Sequence, residues 1–283
     1  MSESLPFVSY VVRSEQNKRE NNEDSFDCFW FSPRLAGDPL TVLMVADGMG
    51  GHEHGEDVSR EALLAMKSYL IQHISYHNQA EAHLSLEGLQ KVMAGALAHT
   101  NFLVQYMVED QGWQQAGSTL VAALIWRDAL IAVNLGDSPL FHFRLQTQNL
   151  EQVTQDHSVT GILTAHHLIT PDEAMSHQYR GQLQYYLGCP YLPDEFPLYV
   201  RWLQPGDLVL LCSDGVSGLL SPPEIADTLA ETSWTLEQRA DRLLELALAK
   251  EETDNQTLIL WECPTWATAA PLGVKLNPTH ASL

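Results

Sequence analysis

Apolar residues in the first fifty positions come in short runs. Residues 7–12 (FVSYVV), 26–31 (FDCFWF) and 40–46 (LTVLMVA) are rich in aromatic and β-branched side chains, with polar, proline or glycine stretches between them. That pattern predicts strands. The period then lengthens. Across 56–77, Val58, Ala62, Leu63, Met66, Leu70 and Ile74 share one helical face, and a second amphipathic helix is predicted over 86–109. Runs at 118–126, 129–135, 139–145 and 149–153 are close together and joined by tight turns, which predicts an antiparallel meander. Residues 156–190 are polar and irregular, with room for two short helical pieces at most. Strands are predicted again at 196–202 and 207–212, helices at 222–231 and 235–250, and a last strand at 256–262 (QTLILWE).

Strands and helices therefore fall in separate blocks, which favours α+β over alternating βαβ. Two antiparallel sheets packed face to face, with helix pairs outside, use these elements well. No internal repeat or linker interrupts the pattern, so one domain is expected over 1–263. The tail, 264–283, has little pattern and is expected to be loosely ordered.

Charge narrows the function. Thirty-six acids against fifteen bases leave a net charge of −21 in 283 residues. A nucleic-acid backbone or an anionic membrane is repelled by such a surface, so neither is an expected partner. No apolar segment approaches the ~20 residues of a membrane-spanning helix, and the first twenty residues lack the features of a signal peptide. The four cysteines lack CxxC spacing, which favours a reducing, cytoplasmic setting.

The acids are concentrated where predicted strands stop. Asp47 follows VLMVA and precedes Gly48; Asp137 follows IAVNLG; Asp214 follows LVLLCS; Asp254 immediately precedes the last strand; Glu23 and Asp24 precede FDCFWF. If these ends converge, the carboxylates repel one another unless cations neutralise them. Mg²⁺ and Mn²⁺ prefer such oxygen ligands. Gly48 would let its carbonyl approach a metal, and Arg19 could grip phosphate oxygens. Singly, each signal is weak, because an isolated Asp-Gly is most often a turn. His52 and His54 admit a zinc pair or, more plainly, exposed loop residues.

At these residues the chain resembles the metal-dependent protein phosphatase family, the type 2C serine/threonine phosphatases, in its bacterial form. The matching pieces run in order: RENNED (19–24), VADGMGGH (45–52), GSTL (117–120), NLGDS (134–138), VTQDHS (153–158), PGDLVLLCSDG (205–215) and DNQT (254–257). The resemblance implies an αββα sandwich and a phosphoserine/phosphothreonine protein phosphatase opposed by a serine/threonine kinase and acting as a monomer. Two Mn²⁺ or Mg²⁺ ions are implied, with a third at Asp137 and Asp214. Asp47 would bridge the two ions, Gly48 would lend a carbonyl, Glu23 would help hold one ion, and Asp214 with Asp254 the other. Asp24 would be a ligand or stand just behind one. Arg19 would bind the phosphate, and a metal-activated water would attack phosphorus without a phosphoenzyme.

The chain departs from the family at several places. Pro139 stands where an arginine is usual, Tyr185 where a second is usual, and Glu252-Thr253 where glycines often precede the DN pair. Met49 replaces the histidine of eukaryotic members. Residues 157–187 match a mobile flap. Two other functions remain open on sequence: a phosphoprotein-binding regulator without turnover, and a hydrolase of small phosphoesters.

Overall fold

The computed structural model describes residues 9–32, 38–49, 54–79, 84–113, 116–170, 173–174, 176–193 and 196–264. His52, part of the 157–187 stretch and the tail beyond Pro264 lie outside the described residues.

Eleven strands and six helices are described, in the order β1 (Ser9–Glu15), β2 (Asp24–Phe31), β3 (Leu40–Met49), α1 (Gly55–Gln79), α2 (Leu86–Gln111), β4 (Gly117–Ser118), β5 (Leu120–Trp126), β6 (Ala129–Leu135), β7 (Leu140–Arg144), β8 (Asn149–Gln152), α3 (Val159–Ala165), β9 (Tyr199–Trp202), β10 (Leu208–Cys212), α4 (Asp214–Ser217), α5 (Pro222–Ala230), α6 (Leu236–Ala249) and β11 (Gln256–Glu262). One sheet runs β1-β11-β10-β7-β8 and the other β2-β3-β5-β6-β9, with β4 paired to β3. Every pairing is antiparallel.

Three apolar cores stack these into four layers. Leu43, Val45, Val121 and Leu130 of one sheet meet Leu140, Val209, Ile259 and Trp261 of the other in a buried middle layer. Alternate residues of the same strands, such as Val42, Met44, Ala122 and Leu124, face Met66, Leu70, Met93 and Leu97 of α1 and α2. Phe143, Leu210 and Leu260 face Ile225, Leu229, Leu243 and Leu244 of α5 and α6. A strand buried on both faces shows an unbroken apolar run instead of alternation, as LTVLMVA does. The expected αββα sandwich is therefore present.

The meander is not continuous. β5 and β6 pair in one sheet, but β7 and β8 belong to the other. The chain changes sheets at Gly136–Pro139. Pro139 cannot donate to a ladder and sits just before β7, where its carbonyl still accepts from Cys212 N–H at 3.2 Å. The loss of a backbone donor at Pro139 is thus harmless to the sheet. Thr119 separates the expected 118–126 strand into β4 and β5, and β3 runs on through Asp47 and Gly48, because Gly48 and Met49 pair with Ser118 and Gly117.

Candidate metal centre

Strand register brings the acids together. Asp24 at the start of β2 lies opposite Asp47 near the end of β3. The Asp47 N–H donates to Thr119 Oγ1 at 2.9 Å, and its carbonyl accepts from Thr119 N–H at 2.8 Å and Ser118 Oγ at 3.0 Å. Thr119 Oγ1 also hydrogen-bonds Ser138 Oγ at 2.6 Å, which ties the β3 end to the turn carrying Asp137. From the other sheet, Asp214 opens α4 just after β10, and its carboxyl comes beside that of Asp47.

Asn255 organises the remaining wall. Its Oδ1 accepts from Glu23 N–H at 2.9 Å, and its Nδ2 donates to the carbonyls of Gln16 (2.8 Å) and Asn21 (2.9 Å). The β1–β2 connection, with Arg19 and Glu23, is thereby clamped to the start of β11 beside Asp254. Sequence reasoning gave Asn255 no role. Thr119 and Ser213 were likewise missed, although GSTL and CSDG were both visible.

A cavity of about 210 Å³ is lined by Arg19, Glu23, Asp47, Gly48, Asp137, Asp214 and Asp254. Seven of the eight residues singled out in the sequence thus meet on one wall. The eighth, Asp24, stands behind it. It is 8% exposed; Oδ2 accepts from Ser213 Oγ at 2.7 Å, while Oδ1 is buried without a partner.

Glycine is required at two points. A Cβ on Gly48 would lie 2.1 Å from the Gly55 carbonyl oxygen, and one on Gly215 would lie 1.9 Å from that of Asn255. Both clashes are with backbone, which cannot swing aside. Alanine at either position is expected to cost about 3 kcal/mol of stability, at the upper end of overpacking effects. A chemical-denaturation midpoint equal to wild type would contradict this.

Burial, then mutual repulsion, pushes these acids toward their neutral forms. Burial raises Asp47 and Asp137 well above the ordinary aspartate value, with neighbouring carboxylates adding to it, and Asp214 is raised for the same reasons. Asp24 is pushed up to about 7, first by burial. Asp156, whose Oδ1 accepts from Gln152 Nε2 at 2.7 Å, is also raised by burial to about 7. The folded protein free of metal therefore retains protons that the unfolded chain releases above about pH 4. Its stability falls as pH rises from there through about 7. His157 opposes part of this: burial lowers it to about 4, so the unfolded chain takes up a proton that the folded one refuses below about 6.5. Several acids outweigh one imidazole, and above 6.5 only the acids act. The melting temperature in EDTA is expected to fall from pH 6 to 7.5, and Mn²⁺ should flatten that fall. A rise in EDTA would contradict it.

The donor set fits hard divalent cations. Among the described residues on the cavity wall, the metal-capable groups are mostly oxygens, five carboxylates with carbonyls and the Thr119 hydroxyl, beside the Met49 thioether and with no thiol or imidazole. The orphaned oxygen of Asp24 and the crowded acids both indicate missing positive charge. Among the described residues no three such groups form a ready-made ion cage; Asp254 instead holds Arg19, with Nη2 to Oδ2 at 2.5 Å. His54 stacks on Trp113, with ring centroids 4.0 Å apart, and pairs with Asp57 at 3.5 Å, away from the cavity wall.

Residues 13–251 match the family model described as Protein phosphatase 2C. The chain belongs to the protein phosphatase 2C family. It is 30% identical to the serine/threonine phosphatase stp of Listeria welshimeri over 245 residues, covering 86% of this chain and 91% of that one. Among solved structures, the serine/threonine phosphatase of S. agalactiae superposes with a TM-score of 0.76 at 26% identity, covering 90% of this chain and 99% of that one. The catalytic domain of the serine/threonine phosphatase PstP in complex with 2 manganese ions superposes at 0.69 with 29% identity, covering 90% and 97%. Protein phosphatase 2C enzymes are metal-dependent. Among the described residues, no helix is long and apolar enough to cross a membrane.

Proposed function

We propose that the chain is a metal-dependent phosphoserine/phosphothreonine protein phosphatase whose reaction takes place in the 210 Å³ cavity. One observation carries this reading: five separately noted acids and Gly48 line a single cavity together with Arg19. Glu23, Asp47 and the Gly48 carbonyl would hold one Mn²⁺ or Mg²⁺ ion, and Asp47, Asp214 and Asp254 the other. Asp137 with Asp214 offers a third position. Such a pair of ions supplies charge to polarise a phosphoryl group and favours deprotonation of an attacking water.

The chain's own groups do the rest. Arg19 neutralises and orients the phosphate through its fork of donors. Thr119 and Asn255 fix the backbone of Asp47 and Glu23, so little reorganisation is needed when the substrate arrives. No cysteine, serine or histidine lines the cavity among the described residues, and with its carboxylates committed to the ions this reading has water attack directly, without a phosphoenzyme. The retention of every expected acid weighs against a regulator without turnover. The same reading has a serine/threonine kinase supply the substrates, and a monomer acting in the cytoplasm.

Phosphate release from a phosphothreonine peptide, followed with Mn²⁺, Mg²⁺ or EDTA, tests this. Turnover with either ion and none in EDTA is expected. Equal turnover in EDTA would overturn the reading, and so would turnover confined to small phosphoesters.

A further inference from the structure

Asp137 stands on the connection that crosses from β6 to β7, and both of its chain neighbours are tied to other parts of the fold. After it, Ser138 Oγ hydrogen-bonds Thr119 Oγ1 at 2.6 Å. Before it, Gly136 has a φ of +111° and packs so closely on Thr119 that a Cβ there would lie 2.6 Å from that side chain. His157 then holds Gly136 twice. The Gly136 N–H donates to His157 Nδ1 at 3.3 Å, and the Gly136 carbonyl accepts from the His157 N–H at 2.9 Å.

These two bonds fix the peptide planes on either side of Gly136. Glycine has the widest backbone freedom of any residue, and fixing both planes sets its φ and ψ. The second plane leads directly into Asp137. The main-chain bond survives any substitution of His157, but the bond to the imidazole does not. That bond needs a lone pair on Nδ1, so the ring carries its proton on Nε2.

His157 is 5% exposed. It is also where the segment after it returns. Its carbonyl accepts from the N–H groups of Gln184 at 2.8 Å and Tyr185 at 3.3 Å, and Ser158 bridges Leu183. The imidazole lies edge-on to the Tyr185 ring at 5.9 Å, and 5.9 Å from the Phe196 ring. Tyr185 stands where an arginine is usual, so in this chain an uncharged ring backs the imidazole.

We propose that His157 is a positioning residue for Asp137: its Nδ1 and main-chain N–H fix Gly136, so that the Asp137 carboxylate is held out to a divalent cation. The proposal rests on the third ion position of the proposed function. The plainer role for His157 is a core residue that packs against Tyr185 and Phe196. Lost packing would lower stability whichever atom replaced Nδ1, whereas a lost acceptor acts on the ion at Asp137.

Asparagine and glutamine separate the two roles. Both lose the ring, but asparagine places Oδ1 where Nδ1 sits, and glutamine carries its oxygen one carbon further. Mn²⁺ binding to the full chain is read from the free-ion EPR signal. Wild type is expected to bind a weakest ion that Asp137→Asn loses. His157→Gln should weaken that ion about tenfold, the low end for a group placed behind a ligand, and His157→Asn should stay within about twofold of wild type. The tighter ions should be unchanged. On a phosphothreonine peptide, kcat of His157→Gln should fall at low Mn²⁺ with KM unchanged, and recover as Mn²⁺ is raised. Wild-type ion binding in His157→Gln would overturn the proposal. So would equal weakening in both variants, or a loss that reaches every ion. Should neither variant fold, Mg²⁺ titration of ¹⁵N-labelled wild type decides: the Gly136 N–H and His157 Nδ1 signals should shift with the weakest ion, and a titration that leaves them in place would overturn the proposal. If Asp137→Asn kept every ion, the third position would fall and the proposal with it. If wild type bound the ions but turned over no phosphopeptide, the phosphatase reading would fall, while the contrast between asparagine and glutamine would still decide the role of His157.

Discussion

Asparagine at Asp47 or Asp214 is expected to lower kcat/KM by about a thousandfold at saturating Mn²⁺. Each side chain lines the cavity and contacts the other across the two sheets. Loss of one shared ligand forfeits several kcal/mol of charge stabilisation, and each 1.36 kcal/mol is a factor of ten. The same substitutions should not destabilise the protein in EDTA. Burial and neighbouring acids already drive both carboxyls toward the neutral form, so an amide there relieves repulsion and should raise the melting temperature at neutral pH. Lost activity together with a higher metal-free melting temperature separates a functional role from a folding one. Steady-state kinetics and thermal unfolding on the same preparations decide it; a lower melting temperature in EDTA would contradict the electrostatic account.

Alanine at Arg19 is expected to cost about a hundredfold in kcat/KM, the upper range for a charge-assisted hydrogen bond to an anion. Lysine should recover only part, because a point charge lacks the planar fork. Arg19 is paired with Asp254 at 2.5 Å, so its removal frees a carboxylate for a cation. The Mn²⁺ concentration for half-maximal activity should therefore not rise in Arg19→Ala. An increase would mean that Arg19 supports the metal-binding wall and not the phosphate.

The layers and most strands were legible because local pattern was sufficient for them. FDCFWF, ALIAVNL and QTLILWE are short apolar runs, and 256–262 was placed at its observed limits. Features that depend on remote partners were not legible. β3 extends to Met49 because Gly117 and Ser118 pair with its end, and nothing near residue 48 announces that partner. The expected meander divides between sheets because Gly136–Pro139 is a crossing and not a hairpin. α4 is one turn long, too short for a helical period to show.

The candidate site shows the same division. Acids at strand ends were visible one by one, and their meeting follows from the order of the strands. The groups that hold them were not visible. Asn255 bonds to Glu23, and Ser213 to Asp24, across most of the chain's length. A serine or asparagine has no sequence signal for a bond of that kind.

The most direct measurement is an anomalous-difference map at the manganese edge from crystals of the wild-type protein grown with Mn²⁺. Peaks in the cavity, within ligand distance of Asp47 and of the acids on either side of it, are predicted for wild type and should weaken in Asp47→Asn. Manganese bound elsewhere, with no peak among Glu23, Asp47, Asp214 and Asp254, would contradict the account.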